Sequence, residues 1–186
     1  MSMMKRRRFI GGIAAMSMAP AVAVAAPQSR KFAKLDAMAN SATHFMIKNI
    51  PATSTMIEEA SGFMIIPVVT QGALLFGAAV GDGVLRVGGK TVAYYQSVQL
   101  NVGLQVSVNQ FSQAVFFLND GALDRFRHSN GWKFGAGMRY VVVEDTQHMN
   151  VDTLTQSVDV AGLTFGDSGL HIGVSIDGTK FTPLSV

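Results

Sequence analysis

Glu58-Glu59-Ala60-Ser61-Gly62-Phe63-Met64-Ile65-Ile66-Pro67 is the stretch at which the chain changes its period. On its N-terminal side, apolar residues recur at steps of three and four: Phe32, Leu35, Met38, Ala39, Ala42, Phe45 and Met46. That spacing puts them on one stripe of a helix. Ser29 stands where an N-cap belongs, and Lys31, Lys34, Asp36, Asn40 and Lys48 fall largely off the stripe. The pattern predicts a helix of about four turns from Phe32. It stops ahead of Pro51, because the residue before a proline resists helical geometry. A second, shorter helix is predicted over Ala52–Ala60, with Gly62 as its stop.

Beyond Gly62 the grammar is that of strands. Phe63–Ile66, before Pro67, reads as a short buried strand. Leu74–Val80 and Val84–Val87 flank Gly81-Asp82-Gly83, which reads as a hairpin turn, and Thr91–Tyr95 follows Gly88-Gly89. From Leu100 to Asn109 apolar and polar residues alternate strictly, the mark of a half-buried strand. Ala114–Leu118 is an apolar run, Asp120–Arg127 fits one or two helical turns, and Met138–Glu144 is a valine-rich strand. The last quarter holds Val158–Phe165, Leu170–Ile176 and Thr179–Thr182. The turn signals Gly166-Asp167-Ser168-Gly169 and Asp177-Gly178 separate them, which predicts a meander. Helices first and strands after define an α+β fold with a largely antiparallel sheet. Glycines within strand runs (Gly72, Gly77, Gly103, Gly135, Gly137, Gly162 and Gly173) mark bulges or bends. They predict a curved, glycine-rich sheet, half-barrel or barrel-like, with the N-terminal amphipathic helices packed on it. With no fixed repeat and no linker, residues 32–186 read as one domain behind a flexible lead-in, 26–31.

The N-terminus reads as an address. Lys5 to Arg8 form a positive region, Phe9 to Ala19 a short apolar run, and Ala23-Val24-Ala25 places small residues at −3 and −1 of a cleavage site. Residues 1–25 are therefore expected to be a cleaved export signal. Arg6, Arg7, Phe9 and Ile10 fit the twin-arginine pattern, and an ordinary secretory signal with a basic start accounts for the same residues. Both lead out of a bacterial cytoplasm, so a periplasmic location is expected. The cut also removes four of the 15 basic residues and none of the 12 acids. The formal charge of +3 then falls to about −1, and nucleic acid loses its simplest support as a partner. The chain has no cysteine, so packing alone must hold the exported domain. No later run reaches the roughly 18 apolar residues of a spanning helix, which leaves a soluble or peripheral protein.

Catalytic patterns are missing. His44, His128, His148 and His171 show no zinc-type spacing, and no metal or cofactor is expected. There is no G-x-S-x-G elbow, and Gly81-Asp82-Gly83 lacks the helix and lysine of a phosphate loop. The carboxylates sit mostly at turns and strand ends, where solvated acids are the rule. The expectation is a protein that is not an enzyme. Arg125, Arg127 and Lys133 surround the loop Ser129-Asn130-Gly131, either as a small basic rim or as a solvated loop.

Several segments in succession resemble the SYLF domain family. They are Ile66-Pro67, Gly81-Asp82-Gly83-Val84-Leu85 with Gly88-Gly89, Tyr94-Tyr95-Gln96-Ser97-Val98 and Val102-Gly103-Leu104-Gln105. Val115-Phe116-Phe117-Leu118-Asn119-Asp120, Ser129-Asn130-Gly131-Trp132, Gly169-Leu170 and Asp177-Gly178-Thr179-Lys180 follow in the family's order. The likeness spans about residues 35–184, and Asn101-Val102 departs from the serine-containing step of the bacterial branch. It implies binding rather than catalysis: SYLF domains are associated with lipid, some eukaryotic ones with phosphoinositide membranes, and some fungal ones with actin. In the family an N-terminal amphipathic, lysine-containing helix is linked to membrane contact. Arg30, Lys31, Lys34 and Lys48, with Phe32 and Leu35, match that feature here. The implied function is an exported lipid- or phospholipid-binding protein of the cell envelope, associating peripherally with an anionic membrane. The alternative is a periplasmic protein-interaction or structural factor whose first helix simply packs its stripe on the sheet.

Overall fold

The computed structural model describes residues 27–71, 78–100, 110–143, 150–166, 169–170 and 176–185. The signal positions Arg6, Arg7, Phe9, Ala23 and Ala25 lie outside them, as do His148, His171 and most of the alternating run 100–109. Helix α1 spans Pro27–Asn49. A proline suits the first helical position because its missing N–H is not needed there. Residues 27–31, expected as a lead-in, are thus helical, and Ser29 lies inside the helix instead of capping it. The stripe is as expected: Phe32, Leu35, Ala39 and Met46 are buried, while Met38, Ala42 and Phe45 are half-buried. Helix α2 (Ala52–Glu59) follows, burying Thr53 and Met56.

The strands are β1 (Gly62–Gln71), β2 (Ala79–Val87), β3 (Lys90–Gln99), β4 (Gln110–Phe117), β5 (Trp132–Lys133) and β6 (Tyr140–Val143). They continue with β7 (Val160–Gly166), β8 (Gly169–Leu170) and β9 (Lys180–Leu184); α3 (Asp120–Arg127) follows β4, and α4 (Val151–Ser157) precedes β7. The order is β5-β9-β3-β2-β1-β4-β7-β6, with β8 folded back on β7. Only the β6–β7 pairing is parallel among these. The sheet curls into a half-barrel with α1 packed on it, the expected α+β architecture.

Two apolar clusters hold the layers together. On one face α1, α2 and α4 cover Phe63, Ile65, Val84, Phe116 and Leu163. On the other, α3 closes over an aromatic cluster in which Phe126 meets Tyr95, Phe117, Trp132 and Phe181. The Asn119 side chain caps α3 by accepting from the Ala122 N–H at 2.9 Å.

The structure corrects four local expectations. Strand β1 does not stop at Pro67. It runs through the proline with register shifts against both neighbours, since a proline inside a central strand needs a bulge to replace its absent N–H. Gly81-Asp82-Gly83 is not a turn but lies within β2. A Cβ on Gly81 would sit 2.6 Å from the Val68 carbonyl oxygen and 2.7 Å from Ile66 Cγ2, so this glycine permits close approach to the bulge. The hairpin turn is Gly88-Gly89, whose φ values of 56° and 75° suit a tight turn between twisted strands. Gly135 and Gly137 likewise belong to a turn after β5 and not to a strand. The last quarter is no meander, because β9 crosses to pair with β3 and β5. Helix α4 is an element the sequence reading did not assign; Asn150 caps it by accepting from the Thr153 N–H.

Candidate functional site

The N-terminal half of α1 is tied to β2 and β3 by specific contacts. The Phe32 ring stacks on Tyr94 with centroids 4.2 Å apart. One turn on, the Asp36 carboxylate accepts from Tyr94 Oη at 2.6 Å and Thr91 Oγ1 at 2.7 Å. Lys31 Nζ pairs with Asp82 Oδ2 at 2.9 Å, and the Arg86 guanidinium donates to the Asn40 side chain. Burial, then the hydrogen bond and charge of Asp36, push the Tyr94 phenol up to about 12. It stays a neutral donor across the physiological range. Asp36 and Asp82 therefore act as docking groups for the helix.

Beside this anchor a groove of about 510 Å³ runs between α1 and the sheet. Its helical wall is Lys34, Ala37, Met38, Ser41, Ala42 and Phe45; its floor is Pro67 and Val68 of the β1 bulge with Ser112, Phe165 and Gly166. Phe45 lies parallel to Phe165 at 6.4 Å. The two hydroxyls that line it are spent on backbone: Ser112 Oγ donates to the Pro67 carbonyl at 2.7 Å, and Ser41 Oγ to the Ala37 carbonyl at 3.2 Å. A smaller cavity of about 210 Å³ shares Lys34, Met38, Pro67 and Val68 and reaches the Lys31–Asp82 pair. Lys34 is exposed and forms no ion pair among the described residues. The result is an apolar trough with one unneutralised cation at its rim. Its volume lies within the roughly 300–1,000 Å³ of small-molecule sites.

The six residues matched to a membrane-contacting helix are thus divided. Phe32 and Leu35 are 5% and 7% exposed and belong to the core, so they reach lipid only if the helix leaves the sheet. Lys31 is paired, Lys34 borders the groove, Arg30 is exposed near the helix start, and Lys48 is exposed near its end. Sequence reasoning did not single out Met38, Ala42, Phe45, Pro67 or Phe165 as lining. The available signals were the flank of the apolar stripe and a proline within a strand.

Among the described residues no three His, Asp or Glu side chains gather as a metal site would require. His44 and His128 are exposed, and His128 Nδ1 lies 2.8 Å from the Asp124 carbonyl of its own helix. Asp159 is a structural clamp. It accepts from the Arg139 N–H at 3.0 Å, the Arg139 guanidinium at 3.3 Å and Asn119 Nδ2 at 3.1 Å. Chiefly the first of these holds its carboxyl below the ordinary value. No described helix is long and apolar enough to cross a membrane. No protein-family model matches the chain, and no curated protein matches it in sequence.

Proposed function

We propose that this is a non-enzymatic lipid-binding protein of the cell envelope that shelters the apolar chain of an amphiphile between α1 and the sheet. The observation that carries the reading is the groove itself, whose lining hydroxyls are turned onto backbone carbonyls and whose rim holds the free cation Lys34. Such a site offers an alkyl chain burial worth about 0.8 kcal/mol per methylene. It offers a polar ligand little. The ordered resemblance to the SYLF family and the signal-like N-terminus support lipid and envelope respectively. Because Met38, Ala42 and Phe45 face the groove while Phe32, Leu35, Ala39 and Met46 stay buried, binding there needs no detachment of the helix.

One observation favours the second reading, a protein-interaction or structural envelope factor: burial against the sheet is the ordinary fate of such a stripe. A displacement titration with a fluorescent fatty acid separates the two. Saturable uptake by the wild type is expected, weakened at least tenfold by Ala42→Trp, which fills the trough. Unaltered uptake by that variant, or none by the wild type, would leave the second reading.

A further inference from the structure

The inner face of the half-barrel changes character along its length. Beside α3 it is aromatic, around Phe126. At the opposite rim β1 ends at Gln71 and β3 at Gln99, both paired with Ala79 of β2, and both glutamines are buried. Thr70 pairs with Gln110 at the start of β4, which brings Gln113 toward the same rim. There Gln113 and Thr164 face each other across β4 and β7. Gln113 alternates with Phe111, Val115 and Phe117 of the inner core, and Thr164 with Val160, so both side chains point inward. Thr179 precedes β9 and alternates with Phe181, which turns it inward as well. All three are 1% exposed.

Thr179 is folded over the corner that Gln113 and Thr164 occupy. Its N–H donates to the Ile176 carbonyl at 3.1 Å, and its carbonyl accepts from the Phe134 N–H at 2.8 Å. The side chains of both partners lie on Gly162, where a Cβ would sit 2.8 Å from Ile176 Cγ2 and 2.7 Å from Phe134 Cζ. Gly162 is one pleat from Thr164 on the same face of β7. The chain does not meet the hydrogen-bonding demand of this corner. Gln113 Nε2, Thr164 Oγ1 and Thr179 Oγ1 are buried and form no hydrogen bond among the described residues. Ser97, on the same inner face, shows the contrast: its Oγ donates to the Gly81 carbonyl at 3.1 Å. An unmet buried polar group is costly, and native proteins hold few of them.

We propose that this inner corner is a second binding site, which takes the hydroxyl groups of a small neutral ligand. A hydroxyl oxygen accepts from Gln113 Nε2 and exchanges a further hydrogen bond with either threonine, each of which donates or accepts. The buried polar side chains among the described residues are all uncharged, so an ion would enter without a counter-charge, at high cost. Ordered water and a small polyol such as glycerol share the required chemistry. The site stands apart from the groove: Ser112 and Phe165, the chain neighbours of Gln113 and Thr164, line that groove on the other face of the sheet.

The test begins with thermal unfolding of Thr164→Val and Thr179→Val, which remove one hydroxyl each at nearly constant shape. Each should lower Tm by about 3–6 °C, because the bound hydroxyl loses a partner. Thr182→Val, exposed on β9, supplies the baseline for the residue change alone. A Tm above that baseline in both variants, the result of deleting a hydroxyl that had no partner, would overturn the proposal. Two further measurements on the full chain separate the sources. Deuterium relaxation dispersion that shows long-lived internal water, diminished in both variants, assigns water. A saturable shift of the Gln113 side-chain amide resonance on titration with glycerol, weakened in both variants, assigns a polyol; Gln113→Met identifies that resonance. Neither signal in the wild type, or signals that both variants retain in full, would also overturn the proposal. Fatty-acid uptake by the variants should be unaltered, so failure of this site and failure of the groove read out separately.

Discussion

Replacing Phe32 with alanine separates a helix that inserts into membrane from one that belongs to the core. The ring is 5% exposed and stacks on Tyr94 at 4.2 Å, so its removal opens a cavity and ends an aromatic contact. Truncating a buried phenylalanine costs about 3–5 kcal/mol. Lys31, Asp36 and Thr91 beside it are only partly buried or exposed, so water can enter part of the space and the lower figure, about 3 kcal/mol, applies. For a domain of this size that is a fall of roughly 6–12 °C in Tm. Urea unfolding followed by the fluorescence of Trp132, the single tryptophan and itself buried, measures it directly. Binding to anionic vesicles by the folded variant should be unchanged. A loss of less than about 1 kcal/mol, accompanied by loss of vesicle binding, would refute this reasoning, because Phe32 would then be free in solution and used at the membrane.

Two glycines should respond differently although both lie in G-rich motifs. Gly81→Ala meets backbone at 2.6 Å and should cost about 3 kcal/mol or more, whereas Gly88→Ala meets nothing within 4 Å and should cost only about 1 kcal/mol for its positive φ. Thermal unfolding of both decides; the reverse order would return Gly81-Asp82-Gly83 to a turn. Asp159→Asn should destabilise the protein at neutral pH. A carboxyl whose folded value is lowered lends stability above the ordinary carboxylate range and loses it as pH falls through that folded value. The gap to the wild type should therefore close on acidification, and a gap constant through the acid range would count against the clamp.

What could be seen in the sequence was whatever periodicity alone decides. The three-and-four spacing from Phe32 to Met46 placed the docking stripe of α1, and the switch after Gly62 placed the sheet. Asp120–Arg127 was legible as a short helix, to which the structure adds the Asn119 cap. Pairing was not legible. Whether Gly81 turns the chain or admits a neighbour depends on the bulge at Pro67, two strands' worth of contacts that local pattern cannot express. The crossing of β9 to β3 is equally non-local, and a two-residue β5 leaves no pattern to find. The site was half legible. Lys34 was singled out for its charge, but the groove beside it is floored by Pro67 and Val68 at the β1 register shift, which local pattern does not place. Lys31 looked equal to Lys34 in sequence and differs only because Asp82 of β2, 51 residues on, faces it.

The central claim concerns where an amphiphile sits, and photolabelling addresses it most directly. A fatty acid bearing a diazirine near its methyl end, irradiated with the protein and mapped by peptide mass spectrometry, should mark Met38, Phe45, Val68 and Phe165. Excess unlabelled fatty acid should abolish those marks. Labelling confined to the opposite face around Phe134 and Tyr140, or scattered labelling that unlabelled ligand does not suppress, would contradict the groove as the lipid site.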